Sequence, residues 1–333
     1  MFCGAGGFSC GARNAGKRVA FACDADDEAM RVHELNHPNT VHSVCSLPCD
    51  IPFPTDGTRY HVHGSPPCQR FSTASGQVGN SEMRVSESEN MVKWYLELAL
   101  TSGATSWSME QVAAARVISI LNAKKRSYPS ALDYEIFDLS ALGVPQSRRR
   151  VIAGTPRLIS KLRRQCMTKR PNRVCDFILD CKGTHIRHAK NWKRSTRRDD
   201  GSIEYEKATW TDLLTPITAP SPTIVASRVL SWVSTDGKTV GHCTLSTDDA
   251  AALQTFPRSY HFPTKKHKAL RMIGNAVPPF VAELMFCKED ARRANSDAVV
   301  LKKEQPCKTV RRIVADPLSP SHDWTSDPSR YVP

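Results

Sequence analysis

The residues of this chain best suited to chemistry stand in a few short runs. Gly64-Ser65-Pro66-Pro67-Cys68 ends in a cysteine behind two prolines. Prolines fix the backbone ahead of the thiol. A thiol presented at the end of a strand, near positive charge or helix N–H groups, has its pKa lowered and acts as a nucleophile. A cysteine taken alone is more often a small buried hydrophobe; the Pro-Pro-Cys-Gln context reverses that expectation. Gly4, Gly6 and Gly7 in Phe2-Cys3-Gly4-Ala5-Gly6-Gly7 let backbone approach a nucleotide-like ligand, with a helix beginning near Phe8. Asp24, at the end of the following strand, stands where an acid hydrogen-bonds ribose hydroxyls. Together these features favour an adenosine-containing cofactor. Glu110 in Met-Glu-Gln-Val and the run Arg148-Arg149-Arg150 add a carboxylate and three cations. Taken alone, these read as a surface acid and a phosphate-binding or solvated face.

Positioning such groups takes regular elements, and the first 156 residues supply them. Apolar periodicity predicts strands over 19–25, 60–64 and 104–112. It predicts helices over 26–37, ended by Pro38, over 89–103, ended by Gly103, and over 112–126. Strand–helix alternation of this kind predicts a doubly wound α/β sheet. Between 157 and 240 the periodicity fades, and Pro, Ser, Thr and basic residues rise. A helix-like 248–256 and a Pro-rich turn at 274–280 follow. Beyond about 290 the polar, Pro- and Ser-containing sequence predicts a disordered tail.

The chain of 333 residues carries 46 basic and 33 acidic side chains and is 40% hydrophobic, enough to fill a core. The charge is unevenly placed. Residues 1–156 hold 15 basic and 15 acidic side chains, residues 157–200 hold 14 and 4, and residues 201–333 hold 17 and 14. An excess of ten cations within 44 residues reads as a polyanion footprint. Trp192, among Lys190, Lys193 and Arg194, adds an indole that packs on a sugar or base. No run of eighteen apolar residues is present, and no signal-peptide pattern opens the sequence. Twelve cysteines without a CxxC pair predict a reduced, intracellular protein. Cys166, Cys175, Cys181, His185 and His188 fit no common zinc spacing, and no metal is expected.

Six runs in order, FCGAGG, GSPPCQRFS, MEQV, GVPQSRRRVIAG, LQTFPRSYHF and GNAVPP, resemble the motif set of the cytosine-5 DNA methyltransferases. The similarity covers residues 2 to about 286, except the region around 157–222, where that family places its variable target-recognition segment. The resemblance implies a Rossmann-like S-adenosylmethionine-dependent sheet. It assigns 1–156 with 268–290 to catalysis and cofactor binding, 157–267 to target recognition and hinge, and 291–333 to a tail. It implies base flipping, because C5 and C6 of cytosine are inaccessible in the stack. Cys68 would attack C6, Glu110 would hydrogen-bond or protonate N3, and Arg148 and Arg150 would orient the base and the carboxylate. For S-adenosyl-L-methionine, Phe2 would stack on the adenine. Gly4, Gly6 and Gly7 would line the methionine end, Asp24 would bind the ribose, and Pro67 would back the sulfonium. Asn275 and Val277 would close the site. The loop from Gln69 to Gly79 would close over the flipped base.

The sequence departs from the family pattern in places. A central strand of about five apolar residues, which the family places ahead of its FxGxG motif, is not among these residues. Asp24 stands for the usual Glu, and Gln111 for the usual Asn. No acid for the adenine amino group appears around Val44-Cys45-Ser46, and His242-Cys243 stand near an expected arginine. The leading expectation is a DNA (cytosine-5)-methyltransferase acting on double-stranded DNA as a monomer, in the nucleus of a eukaryote or otherwise in the cytoplasm, with a restriction partner as one setting. Two alternatives stay open: a tRNA cytosine-5 methyltransferase of the same fold, although no Cys-Phe-Thr element is present, and a catalytically inactive nucleic-acid-binding relic.

Overall fold

The computed structural model describes residues 1–67, 82–166, 171–178, 180–187, 193–197, 203–207, 213–226, 229–234 and 239–287. Strand and helix alternate through the first part: α1 (Gly7–Asn14), β1 (Phe21–Asp24), α2 (Asp27–Asn36), β2 (Val41–Val44), β3 (His61–Gly64), α3 (Glu82–Thr101), β4 (Ser106–Val112), α4 (Ala115–Ser127), β5 (Asp133–Asp138), β6 (Arg149–Gly154) and α5 (Pro156–Cys166). Helix α2 starts where Asp26 accepts the Ala29 N–H at 3.1 Å, with Asp27 and Glu28 in its first turn. Helix α3 begins seven residues before the apolar periodicity does, its leading turns being polar. Strand β2 escaped the sequence pattern: its burial is not alternating, and Val41 and Val44 lie exposed.

Strands β1 and β2 pair in parallel, and a separate sheet runs in the order β3-β4-β6-β5. There β3 and β4 are parallel, whereas β6 is antiparallel to both its neighbours. Met1 and Cys3 touch both sheets. The Met1 ammonium donates to the His63 carbonyl at 2.8 Å, and the Cys3 N–H to the Cys23 carbonyl at 3.2 Å. On one face of the larger sheet, Val92, Tyr95 and Leu96 of α3 pack on Val62, Trp107 and Met109. Gly64 is required there, because a Cβ would stand 2.3 Å from the Tyr95 ring. On the other face Phe8 of α1 stacks on His63, ring centroids 3.5 Å apart, with Phe286 edge-on.

The second part is built from α6 (Val174–Phe177), β7 (His185–Arg187), β8 (Lys193–Arg197), β9 (Ile203–Lys207), β10 (Leu214–Pro216), β11 (Ser231–Val233), β12 (Thr239–Thr244), α7 (Thr247–Leu253), α8 (Lys266–Asn275) and α9 (Pro279–Phe286). Its sheet is antiparallel, in the order β10-β7-β11-β12, while β8 and β9 form a two-stranded ribbon. Fully buried Trp232 of β11 centres a core with Ile186, Leu253, Phe256, Leu270 and Ile273. Helix α9 returns to the first part, so close to α1 that a Cβ on Gly11 would lie 1.9 Å from the Pro279 carbonyl.

One expectation needs correcting. The start of the basic stretch, 157–166, is not a free polyanion surface. It forms α5, which buries Leu158, Ile159 and Leu162 against the β5–β6 side of the sheet. Two of its cations are engaged within the fold: Arg163 pairs with Glu135 at 3.0 Å, and Lys161 donates to the Met285 carbonyl at 3.1 Å. Amphipathic spacing every three to four residues, hidden by the charge count, decides this. The tail expected over 291–333 lies outside the described residues. Among the described residues no helix is long and apolar enough to cross a membrane, and no three His, Cys, Asp or Glu side chains are placed to hold a metal.

Candidate active site

The carboxyl ends of the parallel strands carry the residues singled out from sequence, as expected where an open α/β sheet binds its ligands. Asp24 ends β1, and both its carboxylate oxygens are used. Oδ2 accepts the Gly4 N–H at 2.8 Å, and Oδ1 accepts the Asp26 N–H at 3.0 Å. Each oxygen keeps a lone pair for a hydroxyl, so Asp24 shapes the glycine loop while remaining an acceptor.

The loop itself is held in a left-handed backbone, with φ of 50° at Phe2, 50° at Gly4 and 92° at Gly6. The first is a non-glycine in that region, a strain that surrounding contacts must offset; Phe2 packs edge-on to Trp94, ring centroids 6.2 Å apart. The glycines differ in role. A Cβ on Gly4 would meet nothing within 4 Å, so that side of the loop is open to a ligand. A Cβ on Gly6 would stand 2.7 Å from the Tyr260 hydroxyl, and one on Gly7 only 2.2 Å from the Val277 carbonyl. Gly6 and Gly7 therefore dock the loop on the 260 and 277 segments. Val277 is buried in that contact, while Asn275 is exposed at the end of α8.

Beneath the loop lies a set of histidines. His33 contacts Ser9 Oγ at 2.9 Å and His42 at 2.8 Å, and His37 contacts the Tyr260 hydroxyl at 3.1 Å. Arg13 Nη1 lies 3.1 Å from His37 Nδ1. A guanidinium only donates, so Nδ1 accepts and the ring is neutral, with its proton on Nε2. Burial, and then the Arg13 charge, push the His37 pKa down to about 4.

At the ends of β4 and β6 the geometry is tighter. Glu110, 6% exposed, meets Arg150 Nε at 2.9 Å across the β4–β6 ladder. The neighbouring Gln111 donates to the Pro66 carbonyl at 2.8 Å, which fixes the segment leading into Cys68. Pro67 is exposed beyond it. Cys68 itself and the loop from Gln69 to Gly79 lie outside the described residues. Arg148 is placed differently from Arg150. Its guanidinium is buried and donates to the carbonyls of Ile224 at 3.1 Å and Gly274 at 3.0 Å.

These groups fit an adenosyl cofactor: an open glycine, a carboxylate with lone pairs left for hydroxyls, and a turn facing the loop. The comparisons with known proteins decide the family. The model of the C-5 cytosine-specific DNA methylase family matches residues 1–92 and 128–288, most of the chain. The chain belongs to that family.

Members of the family methylate cytosine in DNA at C5, and family membership implies S-adenosylmethionine as the methyl donor. Among relatives of the methylase, the Type II methyltransferase M.HindV of Haemophilus influenzae is 25% identical over 315 residues, covering 86% of this chain and 93% of its own length. The Type II methyltransferase M.HgiDI of Herpetosiphon aurantiacus is 25% identical over 297 residues, covering 84% and 89%. A methyltransferase encoded within an E. coli prophage shares the fold with a TM-score of 0.54 at 18% identity, covering 86% and 95%. The S. pombe Dnmt2 methyltransferase does so with 0.52 at 11%, covering 85% and 94%.

The sequence reading did not single out Tyr260, Gln146 or Gln254 of the methylase. The two glutamines lie within quoted motifs, yet nothing in their spacing signals that they meet. Gln111 was visible only as a departure from the family pattern.

Proposed function

We propose that this methylase transfers a methyl group from S-adenosylmethionine to C5 of a cytosine flipped out of duplex DNA, through a covalent Cys68 adduct. The observation that carries the reading is the buried Glu110–Arg150 pair, set beside the Pro66 segment that Gln111 anchors. The Cys68 thiolate adds to C6 of the ring, which makes C5 nucleophilic. Glu110 donates a proton or a hydrogen bond to N3, so the ring accepts the electron pair. Arg150, ion-paired with Glu110, holds that carboxyl in place and faces the base. The cofactor supplies an electrophilic methyl on a sulfonium. A base then removes the C5 proton, and the electrons returning to the ring expel Cys68, so the net exchange is one methyl for one proton. Phe2, Gly4, Asp24, Pro67 and Asn275 would contact the cofactor, with Gly6, Gly7 and Val277 holding the loop that does so. Arg148, enclosed by backbone carbonyls, would act from behind the site.

The domain division proposed is 1–156 with 268–290 for chemistry, to which α5 over 157–166 is packed, and the rest of 157–267 for recognition. The ribbon β8–β9, carrying Lys193, Arg194, Arg197 and Lys207, has the width of an element that enters a major groove. Acting on DNA as a monomer, the enzyme would work inside the cell. The test is transfer of tritiated methyl to duplex DNA and to tRNA by the native chain and by Cys68→Ala. Labelling of DNA that disappears in the variant supports the reading. Labelling of tRNA alone, or DNA labelling that survives Cys68→Ala, defeats it.

A further inference from the structure

Behind the site lies a joint made of buried polar side chains. Gln146, Arg148 and Gln254 are each at most 1% exposed. Gln146 Oε1 accepts the Ile224 N–H at 2.9 Å, and Gln146 Nε2 donates to Gln254 Oε1 at 2.7 Å. Gln254 Nε2 donates in turn to the Ala276 carbonyl at 2.7 Å. The backbone sets both amides: Ile224 N–H needs an oxygen, and the Ala276 carbonyl needs an N–H. The oxygen of Gln254 and the nitrogen of Gln146 are thereby left facing each other. Arg148 adds its bonds to Ile224 and Gly274, and Ser147 N–H donates to the Ser221 carbonyl at 2.8 Å. Three stretches, around 146, 224 and 276, are thus joined by three buried side chains, Gln146, Arg148 and Gln254.

We propose that Gln146 and Gln254 are positioning residues of the methyl transfer, an inference that rests on the site reading above. Ala276 lies between Asn275 and Val277, and the Val277 carbonyl is the atom pressed against Gly7. Gln254 therefore holds the turn that closes the glycine loop. Gln146 holds Gln254, and four residues further along the chain, in β6, stands Arg150, 2.9 Å from Glu110. Neither amide is in contact with the groups assigned to the base or the cofactor. A buried amide is costly unless bonded, and a satisfied chain of them fixes one arrangement of what it joins. The joint sets the spacing between the cofactor side and the base side of the site.

The experiment replaces each glutamine by a methionine, of similar volume and without the amide: Gln254→Met, Gln146→Met and the double variant. S-adenosylhomocysteine affinity is measured by calorimetry, and KM for S-adenosylmethionine and kcat on sheared unmethylated genomic DNA, well below each protein's unfolding midpoint. Gln254→Met weakens S-adenosylhomocysteine binding about tenfold and raises KM in step, while kcat at saturating cofactor falls less than about threefold. Gln146→Met weakens binding about three- to tenfold, and the double variant is no weaker than Gln254→Met alone. A role in packing alone lowers the unfolding midpoint and leaves affinity and KM of the folded protein unchanged. That result in both single variants, or additive losses in the double, overturns the proposal. Should Gln254→Met not fold, Gln146→Met, which keeps the Gln254–Ala276 bond, decides by the same criterion. If the native chain methylates no DNA, the site reading falls, while the calorimetry still judges the joint.

Discussion

In the larger sheet, β4 runs for seven residues with five consecutive ones buried, and α3 lays Val92, Tyr95 and Leu96 across it. In the smaller sheet, β7, β10 and β11 have three residues each, and helices α7 and α8 complete the core around Trp232. The first design sets Glu110 and Arg150, the groups proposed to face the base, on paired neighbouring strands. The second relies on helices, and α8 ends at Asn275, in the turn proposed to face the cofactor. Damage to the larger sheet should therefore reach Glu110 and the chemistry, and damage to the smaller one should reach the cofactor.

The sharpest way to break this contrast is at Glu110. Glu110→Gln should cut methyl transfer by a factor on the order of 10² to 10⁴ while cofactor affinity holds, as initial rates and calorimetry would show. A parallel loss of cofactor binding would mean that the two sides are not separable. Trp232→Ala should cost about 3–5 kcal/mol of stability in denaturant titrations. In the protein that remains folded, S-adenosylhomocysteine binding should weaken through α8; unchanged binding would remove the asymmetry.

Acid offers a milder probe of the glycine-loop side. His37 is neutral in the fold with its pKa pushed down to about 4, whereas in the unfolded chain it titrates near 6.5. The unfolded state thus takes up a proton first as pH falls. Stability is full above about 6.5 and is lost as pH drops toward 4, by about 2 kcal/mol from His37 between pH 7 and pH 5. Burial pushes His33 and His61 down as well, so the loss seen in melts at the two pH values should exceed that of His37 alone. His37→Gln should flatten the profile. The smallest effect is expected on α5. Arg163→Ala should change stability by less than about 1 kcal/mol and leave DNA affinity unchanged, since its guanidinium faces Glu135 and Asp133. A drop in DNA affinity on filter binding would return α5 to the polyanion surface.

How much of this was legible in the sequence depends on how local the physics is. The glycine loop, Asp24, the Pro66-Pro67 turn and the Glu110 strand are short-range patterns: Asp24 ends β1, the prolines follow β3, the glycine loop leads into α1, and Glu110 lies on β4. Helix α5 was obscured because charge counting ignores which side of a helix each cation occupies. Strand β2 was missed because Val41 and Val44 are exposed, so no apolar face marks it. The joint at Gln146 and Gln254 was invisible for another reason: its partners are main-chain groups, Ile224 and Ala276, and one peptide N–H or carbonyl looks like any other in a sequence. The split between Arg148 and Arg150 follows the same rule. Arg148 stands just ahead of β6 and Arg150 within it, yet only the fold reveals that carbonyls of Ile224 and Gly274 enclose the first of them.

The seating of the glycine loop also bears on synthesis. Tyr260 donates to the Ala5 carbonyl across 255 residues of chain, and Val277 backs Gly7 from farther still. At the usual pace of translation, about 5–20 residues per second, the segment that buttresses the loop emerges roughly 13–51 s after the loop does. A growing polypeptide on the ribosome therefore has no buttressed glycine loop until the 260–277 segment has emerged. A ligand added during translation should leave nascent intermediates that stop short of residue 260 as open to protease as before.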